Sequence, residues 1–353
     1  MLIENSWILG SIFIICAALI WIFGIRLTKA IDVIVHHYGW GEAIGGMVFL
    51  AIITNLPEIA ITAVAAYQKE YVIAVSNILG GIAIQTVVLV LIDVFGVGRK
   101  VPLTHKGHSR ILQIEGLAVI AVLAIVLVGN SFPSSYRLVG APAYEWLLLL
   151  TWLGSIFWTK HLYNKHLIKK QRKTKADSFK TTTLLDKVIP YNKPDQEKNI
   201  TAAIAVIVVG SLITLFAGYG LTLSGEILSK RWGMSGVIFG STILALCTAL
   251  PEISTGIASA KIRDYEMAVS DIFGGNAFLP VLFFMAALIS KESILPNLQF
   301  SDIYLSYLGI LLTAIYLIGM RFHLRKQYFR MGVDSLAVLI VYILSLIILV
   351  FMI

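Results

Sequence analysis

The sequence is poor in charge. Only 14% of its 353 residues are Asp, Glu, Lys or Arg, against 58% hydrophobic, and the mean hydropathy is +0.85. That balance excludes an ordinary soluble globular chain. Cysteine is nearly absent: Cys16 and Cys247 each lie in an apolar stretch, which excludes a disulfide framework and a zinc signature. Both read as small buried side chains. An intramembrane hydrolase or metalloprotease needs a nucleophile–base pair or His-Glu-x-x-His, and His36-His37 lacks that spacing. No enzyme and no cofactor are therefore expected. A basic leader is missing as well. Met1 to Trp7 carries only Glu4, so the first apolar segment reads as a retained helix rather than a signal peptide.

What fills the chain is a series of apolar stretches near twenty residues, the length needed to cross a hydrocarbon core of about 30 Å. Ten are expected, over 7–27, 42–66, 71–95, 112–129, 143–161, 200–221, 235–259, 266–288, 303–320 and 333–352. The fold class expected is an all-α polytopic membrane protein of ten transmembrane helices. A net charge of +8 would suggest nucleic acid in a soluble chain, but here the positive-inside rule absorbs it. With the N-terminus outside, 23 of the 28 Lys and Arg fall on inside segments, eleven of them between Lys160 and Lys198. Both termini are then expected outside and the 163–199 loop in the cytoplasm, in a bacterial-type plasma membrane. The partners expected are the lipid bilayer and inorganic cations, with no nucleic acid; nothing in the sequence marks an oligomeric state.

The chain also repeats itself. Ile44–Gly81 aligns without gaps on Ile238–Gly275, an offset of 194 residues, with 17 of 38 positions identical. Thr54-Asn-Leu-Pro-Glu58 returns as Thr248-Ala-Leu-Pro-Glu252, and Ala74-Val75-Ser76 as Ala268-Val269-Ser270. Further upstream, Leu27-Thr28 matches Leu221-Thr222, and Asp32 pairs with Glu226. The repeat is a half-protein: residues 1–162 with a core at 42–95, and 200–353 with a core at 235–288. A basic linker over 163–199 joins the halves. Five spans separate equivalent positions, an odd number, so the halves are expected in opposite orientation, as in many transporters.

Each copy places a carboxylate directly after a proline in a long apolar run. A charged side chain at bilayer depth costs roughly 2.5–3.5 kcal/mol on insertion scales, and here that cost recurs in register. Pro57 and Pro251 cannot donate to the carbonyls of Ile53 and Cys247, so each helix is expected to kink there and free carbonyl oxygens. With Glu58, Glu252 and the threonines one turn earlier, Thr54 and Thr248, these make an oxygen-rich cluster suited to hard cations. Asp271 is a third carboxylate within the repeat core, where the first half has the neutral Asn77. Asp32 and Glu226 near span ends are expected to be solvated or paired, and Glu115, inside the fourth span near its cytoplasmic end, has no acidic counterpart and reads equally as a structural or an access-path residue.

Leu-Pro-Glu in two halves, each followed by Ser-Asn/Asp-x-x-Gly-Gly, resembles the α-repeats of the calcium/cation antiporter superfamily, which includes sodium/calcium and cation/proton exchangers. The resemblance implies a ten-helix antiporter with Glu58 and Glu252 as central ligands. It implies added oxygens from Thr54 and Thr248, and sodium sites completed by the carbonyls of Ala51 and Ala245. The sequence departs from that pattern in places. Asn55 and Ala249 stand where sodium/calcium exchangers usually have Ser, Gly81 and Gly275 where a small hydroxyl residue is expected, and Gln85 and Leu279 where an amide or acid is expected. Asn276 offers a replacement oxygen. The function expected is exchange of Ca²⁺ or another metal cation against Na⁺ or H⁺ by alternating access. A sodium/proton exchanger of the same fold, a channel, and a non-transporting exchanger-derived scaffold or sensor are the competing readings.

Overall fold

The computed structural model describes residues 6–38, 51–98, 101–131, 137–138, 140–178, 200–261, 263–295 and 298–352. In chain order, α1 is Ser6–Tyr38, α2 Ala51–Thr54, α3 Leu56–Gln68 and α4 Tyr71–Ile92, which runs into a π-turn at Asp93–Val97. Then come α5 at Leu103–Lys106, α6 at Arg110–Gly129, α7 at Ala143–Ser178 and α8 at Ile200–Arg231. After α9 (Gly236–Phe239), a π-turn at Gly240–Leu244 leads to α10 (Ala245–Thr248) and α11 (Leu250–Lys261). The chain ends with α12 (Tyr265–Phe278), α13 (Val281–Ser290), α14 (Phe300–Phe322) and α15 (Val333–Met352). Two antiparallel ribbons of two residues per strand, Arg137–Leu138 with Ala141–Pro142 and Gln327–Tyr328 with Met331–Gly332, precede α7 and α15.

Among the described residues, seven helices are long and apolar enough to cross a bilayer, or eight when the bent pair Gly236–Thr248 and Leu250–Lys261 counts as one. The ten expected spans differ from this at two places. Residues 42–50 of the second span lie outside the described residues. The 143–161 stretch is helical within α7, but Glu145, Lys160 and three tryptophans dilute its apolar character. α7 also continues to Ser178, well into the segment expected as a linker; residues 179–199 lie outside the described residues.

Helix α4 is predominantly apolar and buried nearly all round, and such a helix belongs inside a bundle. It packs against α11, α12, α14 and α15. The outer pair is α1 and α8, each burying a stripe spaced by sevens with threes or fours between: Leu9, Cys16, Ile20, Leu27 and Ile31 on α1, and Ala203, Gly210, Thr214, Ala217, Leu221 and Leu228 on α8. This is the seam of two helices lying nearly parallel or antiparallel. Arg231, ending α8, donates to Ser6 Oγ at the start of α1 (2.9 Å). A Cβ on Gly220 would meet Cys16 Sγ at 2.6 Å, and one on Gly210 would meet Leu27 at 3.0 Å. Positions rising along α1 therefore face positions falling along α8, and the two helices, equivalent in the sequence repeat, run antiparallel.

One end of the bundle is fastened by Asp93. Its carboxylate accepts from Leu103 N (2.8 Å), Gly332 N (2.7 Å) and Ser335 Oγ (2.8 Å). A single side chain thus joins the end of α4, the start of α5 and the ribbon that feeds α15.

Candidate cation site

The two Pro-Glu segments fold alike. Helix α2 ends at Thr54, Asn55 forms a turn and α3 starts at Leu56; α10 ends at Thr248, Ala249 turns and α11 starts at Leu250. The sequence predicts a kink within a continuous helix; the structure has a one-residue break in each copy, with the second copy bent by 45°. Each proline then sits in the first turn of a new helix, where its missing N–H is no loss. The new helices begin with Ile59 N to Asn55 O (2.9 Å) and Ile253 N to Ala249 O (3.1 Å). Glu58 and Glu252 therefore occupy first turns, where unpaired amide dipoles favour an anion. Both copies also close alike, on Lys69 (φ 62°) and Arg263 (φ 69°), which stand at equivalent positions.

Contacts between the copies are reciprocal. The Thr248 side chain lies beside the Glu58 carboxylate and the Thr54 side chain beside that of Glu252, and the two carboxylates interact with each other. A Cβ on Gly24 would strike Pro251 at 2.6 Å, and one on its equivalent, Gly218, would meet Ala60 at 2.9 Å and the Pro57 carbonyl at 3.1 Å. Only glycine lets α1 and α8 cross so close to the Pro-Glu turns. Glu58 and Glu252 are 0% and 1% exposed, and none of their four carboxylate oxygens has a hydrogen-bond partner among the described residues. Two uncompensated carboxylates would each cost several kcal/mol of desolvation.

The other candidates divide. Gln85 Nε2 donates to Asn55 Oδ1 (3.4 Å), and a Cβ on Gly275 would meet Asn55 Nδ2 at 3.1 Å and Gln85 Oε1 at 3.5 Å. Asn276 donates to Thr86 Oγ1 (3.1 Å) and the Ile82 carbonyl (3.4 Å), leaving its own oxygen without a partner. Asn77 is fully buried, and neither amide atom is hydrogen-bonded among the described residues. Asp271 accepts from Thr255 Oγ1 (2.7 Å) and interacts with Glu252. Ala51 opens α2. The Ala245 carbonyl accepts from Ala249 N (3.0 Å) and Thr248 Oγ1 (3.1 Å), so both of its lone-pair directions already meet protein donors. Away from the site, Glu226 forms an ion pair with Lys230 (2.6 Å), and the side chain of Asp32 lies outside the described residues.

A family model described as sodium/calcium exchanger protein matches residues 8–159 and 202–351. The chain belongs to that family. Among curated relatives, inner membrane protein YrbG of Escherichia coli is 24% identical over 272 residues, 77% of each chain. Putative antiporter CaxA of Alkalimonas amylolytica is 22% identical over 274 residues, again 77% of each. Among solved structures, the sodium-calcium exchanger NCX_Mj superposes with a TM-score of 0.62 at 16% identity, covering 97% of this chain and 99% of its own. The H⁺/Ca²⁺ exchanger CAX gives 0.69 at 11%, covering 96% and 82%. The chain thus has the all-α membrane fold of these proteins.

Within this exchanger fold, three of the sequence departures are one feature. A Cβ at 275 would press on the Asn55 amide at 3.1 Å and touch Gln85 at 3.5 Å, so the Asn55 side chain favours glycine there. The equivalent place in the other half holds Ala249, Leu279 and Gly81, where a Cβ on Gly81 would touch Leu279 at 3.6 Å. The site therefore has a polar flank and an apolar one. Sequence reasoning passed over two hydroxyls. Thr62 is fully buried one turn beyond Glu58 with its hydroxyl unpartnered, and Thr255 lies three residues beyond Glu252. Helical spacing of three or four from each glutamate was the available signal.

Proposed function

We propose that this exchanger-family protein is a secondary active cation antiporter with Glu58 and Glu252 as its central ligands. The observation that carries the reading is the reciprocal placement of Glu58 against Thr248 and Glu252 against Thr54, with all four carboxylate oxygens buried and, among the described residues, without a hydrogen-bond partner. The transported cation, Ca²⁺ or another hard metal ion, sits between the carboxylates. Thr54, Thr248 and the Asn55–Gln85 flank add oxygens. On the Leu279 flank no side-chain oxygen is offered, and the Ala245 carbonyl is engaged, so fewer counter-ions are carried than a site with oxygens on both flanks would hold.

The halves, 1–162 and 200–353, are inverted five-helix units, a reading supported by the antiparallel α1 and α8. The segment 163–199 connects them in the cytoplasm, with both termini outside. Bare carboxylates cannot cross a dry barrier, so one bundle rocks against the other only when Na⁺, H⁺ or the transported cation neutralises them. That condition makes the flux an exchange and not a leak. In liposomes with Ca²⁺, Na⁺, K⁺ and H⁺ gradients varied independently, cation uptake is expected only against an opposing Na⁺ or H⁺ gradient. Uptake that ignores every counter-ion gradient would identify a channel, and absence of any flux would point to a scaffold or sensor.

A further inference from the structure

The two halves match closely at the glutamates but differ on the way out from them. Beyond Glu252, Thr255 donates to Asp271 (2.7 Å), whose second oxygen is buried without a partner. The next residue back, Ser270, donates to Glu115 Oε1 on α6 (2.9 Å), and Glu115 Oε2 is likewise buried and unpartnered. One turn further toward the start of α12 stands Glu266, exposed and near enough to act electrostatically on Glu115. Glu115 and Ser270 each lie five residues into their helices, about 7.5 Å from the ends. Those ends are neighbours, because Lys106 just before α6 donates to Tyr265 at the start of α12 (3.1 Å). Acidic groups thus lead from an exposed rim to Glu252.

Among the described residues the first half offers no counterpart. The residues equivalent to Thr255, Asp271, Glu266 and Glu115 at the 194-residue offset are Ile61, Asn77, Val72 and Gly309. Gly309 is packed against Leu123 and Ile82, and Ser76, the equivalent of Ser270, is turned back to the Val72 carbonyl. A carboxylate buried within a membrane protein is costly. Asp271 and Glu115 add that cost twice on one side of a duplicated architecture. Their unpartnered oxygens give hard cations a place to shed water in steps.

We propose that Glu266, Glu115, Ser270, Asp271 and Thr255 form a one-sided acidic lane through which cations reach and leave Glu252 on one face of the membrane, Asp271 being an additional cation position. This rests on the antiporter reading above, so one test is independent of transport. In protein with Cys16 and Cys247 replaced, Asp271→Cys and Asn77→Cys variants are exposed to a cationic, membrane-impermeant methanethiosulfonate from each side. Asp271→Cys is expected to be labelled from one face at least tenfold faster than from the other, and Ca²⁺ or Na⁺ is expected to slow it. Asn77→Cys is expected to stay slow from both. Equal labelling at the two positions, or an Asp271→Cys protein unlabelled from both faces, would overturn the lane. Where exchange is measurable, Asp271→Asn and Glu115→Gln are expected to raise the half-saturating cation concentration at least tenfold on that face alone. An unchanged value, or an equal rise on both faces, would also overturn it.

Discussion

Glu58→Gln and Glu252→Gln are each expected to remove cation exchange while leaving a well-folded protein. Glutamine keeps the shape of the side chain and deletes its charge. In the folded chain both carboxylates are buried and none of their four oxygens has a hydrogen-bond partner among the described residues, so in the absence of a cation their charge carries a desolvation cost that the first-turn amide dipoles offset only in part. An amide there relieves desolvation, and the melting temperature in detergent is expected to stay level or rise. Transport behaves oppositely. Removing one partner of a buried charge pair costs about 3–5 kcal/mol, and each 1.4 kcal/mol is tenfold in affinity. Exchange in liposomes is therefore expected to fall at least ~100-fold for either variant. Because the site is built reciprocally from both halves, the two losses are expected to be similar in size. Near-parental exchange by either variant would remove that glutamate from the site.

The second large effect lies far from the glutamates and bears on stability alone. Asp93 holds two backbone amides and one hydroxyl, at Leu103, Gly332 and Ser335. Asp93→Ala leaves these donors buried without an acceptor, at about 1–3 kcal/mol each. Asp334 lies close enough to Asp93 to repel it, and losing that repulsion offsets part of the cost. A net loss of roughly 3–5 kcal/mol is expected, seen as a marked fall in melting temperature in detergent. Asp93→Asn, which keeps acceptor oxygen toward one amide, is expected to lose less. A variant Asp93→Ala that melts with the parental protein would show that the three segments are held by their apolar contacts.

Much of this was legible in the sequence because it is periodic or duplicated. The apolar lengths announce helices, and the gap-free repeat gives Glu58 and Glu252 equivalent positions in the two halves. The family resemblance rests on the same residues. What escaped depends on residues far apart in the chain. The helix break at Asn55 and Ala249 is set by packing around the proline, which read locally predicts only a kink. Gly24 and Gly218 are ordinary glycines in apolar helices until Pro251 and Pro57 are found against them. Gly275 reads as a lost hydroxyl ligand, and its meaning appears only when the Asn55 and Gln85 amides are seen beside it. Asp93 stands near the end of a span, and nothing beside it in the chain names its three donors, which come from residues ten and about 240 positions away. Glu115 is of the same kind: its partner Ser270 is 155 residues distant.

The central claim, that Glu58 and Glu252 jointly hold one cation, is tested most directly by binding without transport. Melting of the purified protein is followed as Ca²⁺, Na⁺ and K⁺ are titrated separately, beside a Glu58→Gln/Glu252→Gln double variant. A ligand that binds only the folded state at 100 times its dissociation constant stabilises by about 2.7 kcal/mol. The parental protein is expected to show a saturable rise with its transported cation, and the double variant none. The same saturable rise in both proteins would place the cation elsewhere and contradict the account.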